Sequence, residues 1–462
     1  MEDRANQLGE ERIWKLLLKF SIPAIVGMLV NALYNIVDRI FIGRGVGTLA
    51  IAGITIGFPV MTILMALGML IGLGATSLVS IRLGENKRDE AELIMTNALV
   101  LLVSVLLGAS VLGLIFLNPM LRLFGASAEV LPYAKAYLRI ILIGAVFQGV
   151  GFGMNNMIRA QGNPHVAMMT MLIGAILNTL LDPLFIFVFG WGIEGAALAT
   201  ILSQAVSAAW VLRYLFSDQS SLKMHMKNAK LQREIVIKII AIGSAPFMMQ
   251  VAASAVMTLL NHQLRIFGGD VSISAMGVIY SIAMMIMMPI FGINQGSQPI
   301  IGFNYGAKKF DRVKKALTLA IGAATAIVLL GFIIVQLFPE NLFRLFNNKD
   351  IELIAFGTQG IRIYLMMLPI IGFQIVSANY FQAVGKPKQA MILSLSRQVL
   401  VFIPALLILP RFYALKGVWA AAPTADLVSS IITGIWLAFE MKHLNDSHAD
   451  IQIKRGTIQP EQ

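Results

Sequence analysis

Three carboxylates stand inside long apolar runs of this chain: Asp38 in NIVDRIFIG, Asp182 in NTLLDPLFIF and Asp426 in AAAPTADLV. An ionisable side chain at membrane depth is costly and marks an ion or substrate path. A carboxylate there takes up a proton or, in its charged form, holds a small cation such as Na+. Asn178 precedes Asp182 by one helical turn and shares its face. Counting about 1.5 Å per residue back from Gly43 and Gly190, where their segments end, puts Asp38 and Asp182 both roughly 8–12 Å below one surface. Tyr137 and Thr200 fall at a matching depth on neighbouring segments. Two carboxylates, an amide, a phenol and a hydroxyl are therefore expected to form one cation-coupling cluster. The competing reading is that each polar group is satisfied separately, with Asn and Thr bonding backbone.

Arg39 competes for Asp38. Adjacent helical residues point about 100° apart, and Arg39, nearer the surface, snorkels to it. Asp38 is then expected to face inward and Arg39 the interface. Asp426 is the lone intramembrane acid of the C-terminal half. It is either a second coupling site or the partner of Arg397. Depth counting separates those two by about 10 Å, which argues against the pair.

Other chemistries lack a site. The chain has no cysteine, no GxxxxGK[ST] segment, no HExxH and five scattered histidines. It is expected to be no enzyme, to hydrolyse no ATP and to need no cofactor beyond a coupling ion, H+ or Na+.

The elements that must position these residues are membrane spans. Of 462 residues 57% are hydrophobic and 13% charged, with mean hydropathy +0.78, against about 25% charged in soluble proteins. Apolar stretches predict twelve helices, near 13–43, 48–81, 91–117, 130–158, 165–190, 194–216, 236–267, 271–302, 316–338, 352–383, 391–411 and 416–441. The first is too long for a signal peptide and reads as an uncleaved span. Twelve spans put both termini on one side. That side carries RLGENKRDE (82–90), the stretch 223–238 and AKKFDRVKK (307–315), whereas the opposite loops hold scattered residues such as Arg44, Arg122, Arg344 and Lys349. The basic side is expected to be cytoplasmic, in an inner membrane of bacterial type. Topology and anionic lipid headgroups thus account for the net charge of +12, and a nucleic-acid partner is not expected. The connection 222–238 reads either as a surface-lying segment or as a flexible linker, and the tail after Asn445 as disordered.

The chain repeats itself. LGENKRDEA (83–91) matches YGAKKFDRV (305–313), LRLFGAS (121–127) matches FRLFNNK (343–349), YLRI (137–140) matches GIRI (360–363), and RAQGNP (159–164) matches QAVGKP (382–387), all at an offset of 222 or 223. The expected fold is all-α: two six-helix bundles of like orientation, related by a pseudo-two-fold axis along the membrane normal. The lobes would span 1–220 and 236–462, joined by a linker at 221–235. Bundles so related enclose a cleft and alternate its access. Asp38 aligns near Asn261 and Asp182 near Ala405, so neither repeat mate ionises.

Methionine is flexible and polarizable and suits a surface that accepts many shapes. Of 26 methionines, several cluster at 167–171, 246–249 and 283–290, the last including Met284 and Met288. Polar candidates for the cleft are Asn31, Tyr34, Gln148, Asn155, Gln295 and Gln298. Most of these methionines can equally pack against neighbours or lipid. Pro59 and Pro289 predict bends in one helix of each half.

YNIVDRIFIGR (34–44), the run from Arg159 to Thr200 and NQGSQPIIGFNYGAKKFDRVKKA (294–316) together resemble the MATE (multidrug and toxic compound extrusion) family, in its DinF-like, MepA-like branch. The resemblance spans nearly the whole chain. It implies export of cationic amphipathic drugs or toxins against H+ or Na+, and a cation site on Asp38, Asn178, Asp182 and Thr200 with Tyr137 nearby. The NorM-like branch adds acids on helices 7 and 10. Here 245–257 and 372–382 contain none, so that second site is not expected. A lipid-linked precursor flippase and a channel are the alternatives, and function as a monomer is expected.

Overall fold

The structure is a computed structural model, and it describes residues 6–225, 228–346 and 350–454. After a single turn at Gln7–Glu10, the chain forms α1 (Ile13–Gly45), α2 (Thr48–Gly84), α3 (Arg88–Ile115), α4 (Leu131–Ala160), α5 (Pro164–Val188) and α6 (Gly192–Phe216). The second half forms α7 (Arg233–Gly269), α8 (Val271–Gly306), α9 (Phe310–Leu337), α10 (Ile351–Ala383), α11 (387–413) and α12 (415–454). Helices close every backbone hydrogen bond within themselves, as lipid demands. Large apolar side chains such as Leu180, Val188 and Phe439 point outward, a surface suited to hydrocarbon rather than water. No strand occurs among the described residues.

Backbone conformation records the repeat. Gly47 and Gly269 (φ 109° and 64°) turn α1 into α2 and α7 into α8. Asn86 and Lys308 (φ 60° and 57°) and Gly162 and Gly385 (φ 86° and 72°) are likewise mates. The last hairpin turns at Ala414, φ 47°.

The helices run unbroken through Pro59 and Pro289. A sharp bend of 50° falls in α10 between Tyr364 and Leu368. There Pro369 opens the second segment and donates no hydrogen bond to the first. Wider π-turns interrupt α4 at Val150–Met154, α5 at Leu184–Val188 and α11 at Ser396–Phe402. The α5 turn follows Pro183, so Asp182 sits where the helix begins to loosen.

The two lobes meet on the half nearer the N-terminus. A Cβ on Gly84 would strike the Phe303 carbonyl, and one on Gly306 the Ile81 carbonyl, so α2 and α8 cross backbone to backbone. Gly243 of α7 meets Leu70 of α2, and Gly292 of α8 meets Ile25 of α1. Glycines in the outer halves of α1, α2, α7 and α8 meet only their own lobe. The cleft therefore opens to the face away from the N-terminus. The N-terminal segment ties that closed face: Gln7 Nε2 donates to Gly162 O (2.8 Å), and Arg312 Nη2 to Glu11 O (2.6 Å).

The described part of the connection before α7 is hydrogen-bonded to the first lobe. Gln161 Oε1 accepts from Ser220 Oγ and Leu222 N, Glu92 Oε1 from Lys223 N, and Asn97 Oδ1 from Gln232 N. These acceptors strap the connection to the first lobe, which composition did not reveal. Past Asn445, where disorder was expected, α12 continues to Lys454, since no glycine or proline intervenes before Gly456. Residues 347–349, including Lys349 and the end of one repeat match, lie outside the described residues, as do 455–462.

In the second lobe Lys386 Nζ donates to both Glu440 oxygens (2.7 and 2.6 Å), and Tyr380 OH donates to Oε1 (3.1 Å). Removing one partner strands the other in a low-dielectric site. Glu440→Ala is expected to destabilise the protein by about 3 kcal/mol, read as a lower melting temperature in detergent with export chemistry untouched.

Candidate functional site

Parallel packing of α1 on α5 sets the site. Gly27 receives Met171, and Gly45 receives Ile186 and Phe187. Asp38 lies eleven residues past Gly27 and Asp182 eleven past Met171. Eleven residues close about three turns, so both carboxylates stay on the packed faces. The groups come within hydrogen-bonding reach of each other. From α5, Asn178 Nδ2 donates to Asp182 Oδ1 (3.2 Å) and to Thr200 Oγ1 on α6 (3.4 Å). Tyr137 of α4 brings its phenol beside Thr200, and Tyr34 of α1 stands beside Asp38. All five residues of the expected cluster are thus brought together and buried: Asp182 is 0% exposed and Asp38 9%.

The cluster has too few donors. Asp38 Oδ1, Asp182 Oδ2 and Asn178 Oδ1 are buried without a hydrogen-bond partner. Facing carboxylates only accept, so this set of oxygens can take up a proton or a cation. All its ligands are oxygens, which suit a hard ion. No group of three or more His, Cys, Asp or Glu residues that could hold a metal ion occurs among the described residues. Arg39 is exposed while Asp38 is buried, and helix geometry separates them as expected.

Asp426 corrects the depth argument. Arg397 Nε donates to Asp426 Oδ1 at 2.5 Å, and Asp426 is 3% exposed. Counting Cα levels ignored the length of the arginine stem, which reaches along a helix by a turn or more. It also ignored the π-turn that carries Arg397.

The MatE family profile matches the chain twice, over residues 23–184 and 244–407. This chain belongs to the MatE family. The two matches start 221 residues apart, in register with the repeat. A multidrug export protein MepA from Staphylococcus haemolyticus is 27% identical over 425 residues, 92% of this chain and 93% of that protein. A solved MOP superfamily transporter from Pyrococcus furiosus, described as having a binding pocket of reverse polarity, is 26% identical with TM-score 0.90, covering 96% of this chain and 99% of that one. A structure of a multidrug resistance MATE family transporter in its outward-facing conformation gives the same identity, TM-score and coverage.

The cleft candidates in this MATE chain divide by position. Asn31 accepts from Asn35 Nδ2 (3.0 Å) and, like Tyr34, Gln148, Met284 and Met288, is part-buried. Gln295 lies between the lobes, its Nε2 3.9 Å from Met28 Sδ and its Oε1 unpartnered. Gln298 donates across the lobes to Ser77 Oγ (2.9 Å) and belongs to the closed crossing. Asn155 is 3% exposed and donates to Ala167 O (3.0 Å), joining α4 to α5 instead of facing the open cleft. The crossing glycines were not among the sequence candidates. Their signal was available: Gly84 and Gly306 are repeat mates in the matched loops.

Proposed function

We propose that this chain is a multidrug exporter that moves organic, mainly cationic amphipathic compounds outward in exchange for H+ or Na+, by alternating access of lobes 1–220 and 236–462. It is a transporter and not an enzyme, multi-pass in a bacterial-type inner membrane, with both termini cytoplasmic and a monomer sufficient for function. Its partners are small molecules and surrounding lipid, not nucleic acid.

The observation that carries the coupling is the set of unpartnered acceptors on Asp38, Asp182 and Asn178. A cation bound there joins α1 to α5. The same α1 packs its inner half on α8 through Ile25 and Gly292, so ion occupancy and lobe contact act on one helix. The ion is thereby linked to the equilibrium between the two cleft openings. Asn31, Tyr34 and the part-buried methionines offer the released compound a soft, weakly charged wall.

The test is reconstitution in liposomes with a proton gradient or a sodium gradient imposed separately. A lipophilic cation is expected to move only against one of these ions, and to drive that ion when its own gradient is reversed. Movement of the compound with neither ion moving would overturn the antiport reading.

A further inference from the structure

The second lobe repeats the cation site in altered form. Three of its helices, α10, α11 and α12, are the mates of α4, α5 and α6. At the offset of 223 that relates YLRI to GIRI and Pro164 to Pro387, Tyr137 maps to Gly360 and Asn178 to Val401. Gly195 and Gly417 both press on a carbonyl of the preceding helix, Phe185 O and Leu409 O. That equivalence maps Thr200 to Ala422. Each mapped position is apolar or without a side chain, so the site is absent at its own level. One turn nearer the N-terminal face, however, the same three helices carry Tyr364, Arg397 and Asp426. All three shifts have the same direction and the same size.

The chemistry is parallel. In the first lobe Asp38 and Asp182 stand with Tyr137 and Tyr34. In the second, Asp426 stands with Tyr364, and Tyr280 of α8 lies beside Tyr364. The difference is the cation. The first lobe leaves acceptors without donors, whereas Arg397 Nε meets Asp426 Oδ1 at 2.5 Å. Arg397 and Tyr364 are the titratable groups that the packed helices turn to this acid, and Tyr280 faces Tyr364 behind them.

We infer that Asp426 is a cation site of the coupling type whose ion is replaced by the tethered Arg397 guanidinium, which confines ion exchange to the first lobe. A guanidinium does not deprotonate in a protein and cannot diffuse away. The second lobe is therefore held in the occupied state while the first alternates. This rests on the coupling role proposed for Asp38 and Asp182.

Equilibrium binding of sodium-22, and proton release on adding tetraphenylphosphonium, test it on the purified full chain. Asp38→Asn alone tests the first-lobe reading: retained binding there would overturn that reading and with it the premise of this one, whereas the Arg397 variants test the second lobe separately. Arg397→Ala is expected to bind one additional equivalent of Na+ or H+ per chain relative to wild type, and adding Asp426→Asn to remove that gain. A folded Arg397→Ala chain with wild-type stoichiometry overturns the inference. The doubly neutral Arg397→Gln/Asp426→Asn chain, which strands no charge, covers the case in which Arg397→Ala does not fold. It is expected to keep the wild-type stoichiometry, and loss of an equivalent would show that Asp426 already takes a mobile ion.

Discussion

Asp38→Asn is expected to reduce ion-driven export by about 100-fold, the upper range of a coupling free energy between two sites, with the protein still folded and inserted. The substitution is nearly isosteric. It replaces one acceptor-only group of the facing pair with an amide, whose N–H groups can satisfy the orphaned Asp182 Oδ2. The first lobe would then imitate its ion-occupied state permanently. Substrate binding and ion binding would no longer alternate, although neither lobe is damaged. Asp38→Glu separates charge from geometry. It keeps the carboxylate but lengthens it against a partner that is 0% exposed, and partial activity is expected. Drug resistance in cells at matched membrane expression, together with flux in liposomes, reads the effect. Full resistance in the Asn variant would remove Asp38 from the coupling role.

Lipid as solvent explains what was legible in advance. It forces every span to be long, apolar and self-bonded, so the twelve helices, their like-oriented halves and the repeat offset were all readable as one-dimensional patterns. The Asp38 cluster was readable for a related reason. Depth along a helix follows from residue count, and one lobe offers few polar groups at a given depth. Pairings that depend on side-chain reach were not readable. Arg397 meets Asp426 across a level difference that its stem spans, from a π-turn with no signature in the sequence. The strap before α7 is held by its own backbone N–H groups, at Leu222, Lys223 and Gln232, donating to the side chains of Gln161, Glu92 and Asn97, three residues scattered far from it in sequence. The bend in α10 illustrates how proline cues compete. Pro59 and Pro289 lie within helices that continue through them, while Pro369 marks a break because the preceding turn has already ended.

The crossing of α2 and α8 predicts a large effect of very small substitutions. Gly84→Ala adds a Cβ against the Phe303 carbonyl, and Gly306→Ala adds one against the Ile81 carbonyl. Neither obstacle is a flexible side-chain tip, so relief requires the lobes to separate at the face that carries the N-terminus. Alanine is the better helix former by about 1 kcal/mol, and the helices themselves should not suffer. The cost falls on the closed arrangement alone. Overpacking of about 1–3 kcal/mol shifts a two-state equilibrium by roughly 5- to 150-fold, toward the state open on the opposite side. Export is expected to fall accordingly, with the double variant lowest. The chain contains no cysteine, so one introduced thiol reports the opening without background. Ser80 is 0% exposed, beside Gly302 across the crossing. Ser80→Cys is expected to resist a membrane-impermeant maleimide in the parent chain, and to react readily once Gly306→Ala is added. Wild-type export with an unreactive thiol in that combination would show that this crossing does not set which face of the cleft is open.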